Sequence, residues 1–344
     1  MQYCSKVVSW ILRMLAYVAA PLCLLAGSRP SVVRRAVPPA AQAQAGIQQL
    51  DSDAKALYDE MGGDAIKART SYIGYTLAYI KDEMPELYEK IKNDPKEEEA
   101  HAALVELTWD AIAAFLPVTH SPTPPPESQK RLAVIARAGC DPSQPADATT
   151  LDVGCGTGLL LPYVGASGAP IEKYRGVDLS GRMIEVAKAT HAEGKYEGAA
   201  FDDVSFKEVV AEGGSYDSIF FNGALQFFAD PTATLADAAK LLKPGPTSRL
   251  VVSHLNGAAF VRKEREENPT TVLSAMPSLA ELEQTAATLG LQVALPSFLG
   301  TETADIERNL DDFYIAILRW DAEHGGVDGA TGVATGEDEP AAEE

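Results

Sequence analysis

Apolar residues in the first third of the chain recur every three or four positions, which is the period of an amphipathic helix. The first run is Leu50–Met61. The period returns from Ile73 to Ile91, where Pro85 should divide the helix because proline lacks a backbone donor. A third run extends from about Glu98 to Leu116. These runs predict an N-terminal layer of helices over residues 46–120.

From Gln129 the pattern changes, and short β-rich runs alternate with helical runs. The predicted strands are "TTLDV", "YRGVDL", "VSF", "YDSIFFN" and "RLVVSH". Such alternation indicates a mostly parallel sheet with helices on both faces. Near the end, "LQVALPSF" and "DDFYIAILRW" are separated by a polar gap, which predicts two strands joined without a helix as an antiparallel hairpin at the sheet edge. We therefore expect an α/β domain over residues 129–320.

The remaining segments are predicted from composition. Residues 121–128 are a proline-rich linker. Residues 1–45 combine an apolar core with a basic, acid-free stretch, which favours a two-part plastid leader; a mitochondrial presequence or a membrane anchor in the secretory pathway is the alternative. Membrane association is expected only if this leader is retained. Residues 321–344 are acidic and predicted to be disordered.

The charge balance restricts the partners. The formal net charge is −20, and every charged residue before Asp51 is basic, so the remainder is even more acidic. A surface of that sign repels phosphate backbones, which excludes broad nucleic-acid binding. The four cysteines form no CxxC pair and no Cys/His spacing, so we predict neither a disulfide framework nor a metal site.

A turn rich in glycine follows the first predicted strand, in "LDVGCGTGLLLPYV". Glycine in such a turn indicates close approach of backbone to a ligand. The dinucleotide pattern G-x-G-x-x-G requires glycine at position 159, where the chain has Leu159. The phosphate loop requires a Gly-Lys-Ser/Thr ending, which is also absent. The turn therefore matches neither of these two nucleotide-binding motifs.

The acid-x-G-x-G-x-G order resembles class I S-adenosylmethionine-dependent methyltransferases, and the resemblance covers about Gln129 to Trp320. It implies a Rossmann-like seven-stranded fold, an enzyme, and S-adenosylmethionine as cofactor. Asp152 is then expected to orient the methionine amino group, and Asp178, 26 residues later, to bind both ribose hydroxyls. The resemblance assigns cofactor contacts to Asp152, Gly154, Cys155, Gly156, Gly158, Asp178, Leu179, Met183, Asn222, Gly223 and Leu225.

Two departures from the family pattern stand out. Pro246 occupies a turn position where the family usually has a second glycine, far from the chemistry. After the third predicted strand, the family often has an acid that contacts adenine. Here Glu208 and Glu212 lie at the wrong offset and Val210 is nearest to it, so adenine recognition is left unassigned.

A missing motif and the position of one histidine restrict the chemistry of the methyl acceptor. The loop from Asn222 to Leu225 lacks the N/D-P-P-aromatic motif of enzymes that methylate exocyclic or amide nitrogens. His254 ends the fifth predicted strand, at the edge where open α/β sheets bind ligands, and is the candidate catalytic base. The alternative is a strand-end histidine bonded to backbone. His101 and His120 lie in the predicted helical layer and could reach the mouth of the pocket, but a surface role is favoured for each.

An insertion from Gly257 to Pro277 follows that strand. Its charged run, Arg262–Glu267, is predicted to be a solvated helical face. The apolar residues of the insertion are predicted to form a lid, with the N-terminal helices as the other wall of the pocket; they are Phe260, Val272, Leu273 and Met276. This arrangement favours O- or C-methylation of a small, lipophilic or aromatic acceptor. A protein or organellar-RNA methyltransferase and a non-catalytic assembly factor are the alternatives.

Overall fold

The computed structural model describes residues 50–121 and 123–321. Seven strands of this part form one sheet in the order β3-β2-β1-β4-β5-β7-β6. The strands are β1 (Thr150–Val153), β2 (Tyr174–Asp178), β3 (Ala200–Asp203), β4 (Ser218–Asn222), β5 (Arg249–His254), β6 (Leu291–Ala294) and β7 (Tyr314–Trp320). The predicted leader, and the predicted tail beyond Asp321, lie outside the described residues.

Helices cover both faces of the sheet and form the layer that precedes it. Within the described residues they are α1 (Ser52–Glu60), α2 (Ala65–Glu83), α3 (Pro85–Asn93), α4 (Glu98–Ala114), α5 (Leu116–Thr119), α6 (Pro126–Gly139), α7 (Leu161–Ala166), α8 (Gly181–His191), α9 (Phe206–Glu212), α10 (Pro231–Leu241), α11 (Gly257–Glu267), α12 (Leu279–Thr288) and α13 (Thr303–Asp312). No helix among residues 50–121 and 123–321 combines the length and apolar character needed to cross a bilayer.

The sheet has the predicted fold class. Strands β1 to β5 pair in parallel, and β7 runs antiparallel to both β5 and the edge strand β6. The prediction of a direct hairpin is wrong, because α13 fills the polar gap between β6 and β7. This helix was missed because only Ile306 and Leu310 are buried on it and its other residues are mostly polar.

The third strand also differs from its prediction. "VSF" is not a strand; β3 is the preceding "AFDD", and Ser205 caps α9 by accepting a hydrogen bond from the Glu208 N–H. Two adjacent acids are tolerated because β3 lies at the sheet edge. Asp202 there accepts a hydrogen bond from Arg175 Nε at 2.7 Å.

The N-terminal layer packs on the sheet domain through α4. As predicted, Pro85 divides the second helical run, and α2 and α3 meet at Met84. The Ser180 hydroxyl, which caps α8, donates a hydrogen bond to Asp110 Oδ1 of α4 at 2.6 Å. Arg182 of α8 forms an ion pair with Asp51. The layer is therefore fixed beside the carboxyl edge of the parallel strands. Helix α6 begins at Pro126, inside the predicted linker, because proline suits the first turn of a helix.

Candidate active site

A cavity of about 780 Å³ lies at the carboxyl edge of the parallel strands. On the sheet side it is lined by residues that follow β1, β2, β4 and β5, among them Gly156, Leu179, Gly223 and Leu255. On the other side it is lined by α4. Both its size and its place are typical of small-molecule sites in open α/β folds.

The three glycines of the turn after β1 all have positive φ, but they serve different purposes. A Cβ on Gly154 would lie 2.6 Å from the Ala224 Cβ, and one on Gly158 would lie 2.9 Å from the Phe201 ring. These two glycines allow close internal packing. A Cβ on Gly156 would meet no atom within 4 Å, and Gly156 lines the cavity. Gly156 therefore presents bare backbone to a ligand.

The Asp178 carboxylate is fixed by backbone donors at the end of β2. Its Oδ2 accepts a hydrogen bond from the Gly156 N–H at 2.8 Å, and its Oδ1 accepts one from the Ser180 N–H at 2.9 Å. Burial raises the pKa of Asp178, and these two hydrogen bonds oppose that rise. Each oxygen keeps a further lone pair, so the carboxylate can accept two hydroxyl groups from a ligand in the cavity.

Asp152 lies behind the turn and is 1% exposed. Burial raises its pKa to about 7, while the Tyr174 hydroxyl, which donates to Oδ2 at 2.6 Å, opposes the rise. The other oxygen, Oδ1, is buried and has no hydrogen-bond partner among the described residues. Asp152 is not part of the cavity wall, so any action on a ligand must be exerted through the turn or a water molecule.

His254 is fully buried at the end of β5, and burial lowers its pKa to about 4. Its Nδ1 accepts a hydrogen bond from the Asn256 N–H at 3.2 Å, and its ring stacks on Phe260 with 5.5 Å between centroids. Because a neutral imidazole carries one proton, that proton must be on Nε2. In this tautomer His254 can donate a hydrogen bond from Nε2, and it has no free lone pair with which to act as a base.

Helix α4 contributes a second histidine to the cavity wall. His101 Nε2 lies 2.9 Å from the Thr271 carbonyl oxygen, which can only accept, so Nε2 carries the proton and Nδ1 the lone pair. Burial lowers the pKa of His101, although the bond to Thr271 opposes this effect. The expected surface position of His101 is wrong. His120 also lines the cavity, and burial lowers its pKa to about 4.

The insertion after β5 forms α11 and an extended segment. Phe260, Val272 and Leu273 line the cavity as the predicted lid residues, whereas Met276 is buried elsewhere in the core. The predicted solvated face is wrong at Glu264, which is 6% exposed and lines the cavity. Burial raises the pKa of Glu264 to about 8, and the neighbouring Glu267 adds to the rise.

This geometry agrees with a comparison to known families. Residues 151–247 match the family model described as a methyltransferase domain. Over these residues the chain is similar to methyltransferase domains. This similarity confirms the family resemblance of the glycine turn and the fold class that it implies.

The methyltransferase domain is similar to curated enzymes over part of their length. It is 33% identical over 156 residues to the ubiquinone biosynthesis O-methyltransferase of Xanthomonas axonopodis pv. citri, covering 45% of this chain and 59% of that protein. It is 37% identical over 129 residues to the malonyl-[acyl-carrier protein] O-methyltransferase of Hahella chejuensis, covering 38% and 42%. An O-methyltransferase family protein from Burkholderia thailandensis is a structural neighbour, with TM-score 0.45, 16% identity and coverage of 71% and 70%. The chain thus spans about half the length of the curated relatives it matches.

The methyltransferase domain has the features that S-adenosylmethionine, the methyl donor of this class, requires. Gly156 offers backbone without a side chain, and Asp178 offers two oxygens for a ribose. Leu179 and Met183 supply apolar surface in the cavity beside them. The unpartnered oxygen of Asp152 lies behind the same turn. These residues fit the cofactor.

Most residues predicted to bind the cofactor come together in one cavity. The cavity wall includes Gly154, Cys155, Gly156, Asp178, Leu179, Met183, Asn222, Gly223 and the predicted base His254. Three others do not line it. Asp152 is buried in β1, Gly158 packs against Phe201 within the turn, and Leu225 is fully buried in the hydrophobic core. Leu225 and Gly158 therefore support the site by packing.

Sequence reasoning missed residues of the methyltransferase domain that follow β3. Val204 and Phe206 line the cavity next to the cofactor residues. Asp203 is paired in register with Asp178, so the C-terminal ends of β2 and β3 lie side by side at the same edge of the sheet. The offsets to Glu208 and Glu212 were counted from "VSF", which lies after the true strand. Asp203 ends β3 but does not line the cavity, so adenine recognition stays unassigned.

The glycine turn yields a test with a matched control. Gly156→Ala should weaken cofactor binding about tenfold, because steric intrusion costs roughly 1–3 kcal/mol. Gly168 also has positive φ and open space where a Cβ would lie, but it does not line the cavity. Gly168→Ala should share the backbone strain of about 1 kcal/mol and leave cofactor affinity unchanged. Thermal unfolding and calorimetric titration measure the two effects, and equal affinities would remove Gly156 from the site.

Proposed function

We propose that this chain is an S-adenosylmethionine-dependent O-methyltransferase that acts on a small, uncharged, hydroxylated acceptor of aromatic or lipophilic character. One observation carries the proposal. A single cavity joins the Gly156–Asp178 region to a largely apolar chamber between α4 and the insertion after β5. The named relatives are O-methyltransferases, which supports the choice of oxygen as the methylated atom.

The chain's own residues would position the acceptor and take up its proton. When bound, the cofactor supplies a methyl group on a positively charged sulfur; transfer to a hydroxyl oxygen leaves a neutral thioether and releases the hydroxyl proton. Positioning the two reactants accounts for much of the rate enhancement in such a displacement. Helix α4 covers the chamber, so the acceptor reacts away from bulk water.

His101 is a better proton acceptor than the predicted base His254. His101 has a lone pair on Nδ1, since its Nε2–H is bonded to the Thr271 carbonyl. His254 uses its Nδ1 lone pair for the Asn256 N–H, so it can only donate from Nε2. We therefore assign proton uptake to His101 and a hydrogen bond toward the ligands to His254.

The proposal is tested by following the methyl group. The full chain is incubated with methyl-labelled S-adenosylmethionine and an extract of the source cells, which is then separated into small molecules, protein and RNA. Label should enter the organic-soluble small molecules, and Asp178→Ala should abolish it. Label confined to protein or RNA would contradict the small-molecule acceptor. Cofactor binding without labelling of any fraction would favour a non-catalytic protein.

A further inference from the structure

Two buried amide side chains on the cavity wall are only partly used by the protein. Asn268 is 1% exposed, and neither its Nδ2 nor its Oδ1 has a hydrogen-bond partner among the described residues. Gln226 is 2% exposed; its Nε2 donates to the Gly223 carbonyl at 2.9 Å, but its Oε1 has no partner in the same part of the chain. Unpaired buried polar groups are costly, so three such atoms in one cavity call for a ligand.

The backbone segments that carry these two side chains are fixed by hydrogen bonds. The Leu273 N–H donates to the Gln226 carbonyl at 3.0 Å, and the Val272 N–H donates to the Asn268 carbonyl at 3.0 Å. The same segment is tied to α4, because His101 donates to the Thr271 carbonyl. The two amides therefore flank one segment whose backbone is fixed, and a ligand in the cavity would reach their buried polar atoms through movement of side chains alone.

The third polar group nearby restricts the charge of the ligand. Glu264 lies one helical turn before Asn268, and the Asn268 N–H donates to the Glu264 carbonyl at 2.7 Å. Burial raises the pKa of its carboxyl to about 8, so Glu264 is mostly protonated at neutral pH and can then both donate and accept hydrogen bonds. As the pH rises through 8 the carboxyl ionises, and it then disfavours an anionic ligand relative to an uncharged one.

The rest of the chamber favours a ring. Phe260 is on α11 with Glu264, and Trp109 of α4 packs edge-on against Phe227 with 5.9 Å between centroids. All three aromatic side chains line the cavity. An amide presents a donor and an acceptor side by side, and two oxygens on adjacent ring carbons, at least one of them a hydroxyl, present the complementary pair.

We propose that Asn268, Gln226 and Glu264 form the polar anchor of the acceptor subsite, and that they bind an uncharged aromatic ring with a hydroxyl group beside a second oxygen. This inference rests on the proposed function, since it describes the acceptor end of the same cavity. Asn268 Nδ2 donates to the ring oxygen that is methylated, whose proton passes to His101, and Asn268 Oδ1 or Gln226 Oε1 accepts from a hydroxyl on the second oxygen.

A stability comparison tests the anchor without a ligand. Asn268→Leu removes an amide that has no partner within the described residues, so the Tm of the full chain should stay the same or rise. The matched control is Asn309→Leu, because Asn309 Nδ2 donates to the Leu299 carbonyl at 3.0 Å. The control should lower Tm by roughly 2–4 °C, the shift that loss of one hydrogen bond produces in a domain of this size. A fall in Tm for Asn268→Leu equal to that of the control would assign Asn268 a structural role and overturn the inference.

A binding comparison tests the ligand class. The full chain, saturated with S-adenosylhomocysteine, is titrated calorimetrically with catechol, phenol and benzoate. Catechol should bind about tenfold more tightly than phenol, because it makes one additional hydrogen bond. Benzoate should bind more weakly than phenol. Asn268→Leu should remove the preference for catechol, and Glu264→Gln should reduce the discrimination against benzoate at pH 8.

The outcomes separate the two levels of the proposal. If the wild-type chain fails to bind S-adenosylhomocysteine, the proposed function falls and the anchor falls with it. If S-adenosylhomocysteine binds but catechol shows no advantage over phenol, or keeps its advantage in Asn268→Leu, only the anchor is overturned.

Discussion

Asp178→Ala is expected to weaken S-adenosylmethionine binding by roughly 100-fold or more, since each charge-assisted hydrogen bond to the ribose contributes about 1.5–3 kcal/mol. The substitution also removes the acceptors of the Gly156 and Ser180 N–H groups, which hold the turn against the cavity. The variant should therefore lose both the contacts to the ribose and the hydrogen bonds that fix the glycine turn. Calorimetric titration of the full chain measures the loss.

The matched control is Asp202→Ala. Asp202 is an acid on the adjacent strand β3, but it pairs with Arg175 near the surface and does not line the cavity. Exposed ion pairs contribute at most about 1 kcal/mol, so this variant should fold normally and bind the cofactor like the wild type. A similar loss in both variants would mean that general acidity of the surface, and not Asp178, governs cofactor binding.

His101→Gln is expected to lower the rate of methyl transfer about 100-fold, the lower range for loss of a general base, and to leave cofactor affinity within about twofold. Glutamine can keep the hydrogen bond to the Thr271 carbonyl while it lacks a basic nitrogen. The variant thus separates proton uptake from positioning. The extract fraction that accepts label serves as the substrate for measuring kcat, and cofactor affinity is measured separately by calorimetric titration.

The pH dependence and a second histidine serve as controls. Because burial lowers the pKa of His101, its lone pair stays free as the pH falls toward 6.5, so protonation of His101 should cause no loss of rate between pH 8 and 6.5. His120→Gln, at another histidine of the cavity wall, should change the rate little. Loss of transfer in His254→Gln with full activity in His101→Gln would return the role of base to His254.

The sheet domain could be predicted because its strands are buried and regular. Strands β1, β4 and β5 consist largely of buried residues, so their apolar runs stand out in the sequence. The edge strand β3 could not be recognised in this way, because two of its four residues are acidic and only Phe201 is buried. Strand prediction from hydrophobicity is weakest where one side of the strand meets solvent.

The cofactor end of the site followed from local sequence, whereas the acceptor end did not. Gly156 lies in the turn after β1 and Asp178 ends β2, so the topology of the sheet alone brings them together. Glu264 was assigned to solvent because its neighbours are charged, although it shares a helical face with the buried Val261. His101 was assigned to the surface, although the N-terminal helices were predicted to form a wall of the pocket, because helical periodicity does not show which residues of α4 face the cavity. Contacts between distant segments decide both positions.

The central claim is that the cavity beside Gly156 and Asp178 binds S-adenosylmethionine. Calorimetric titration of the full chain, freed of copurified nucleoside, tests this claim most directly. We predict saturable binding at one site per chain, lost in Asp178→Ala. Folded protein that releases no heat with the cofactor over a range of temperatures would contradict the claim.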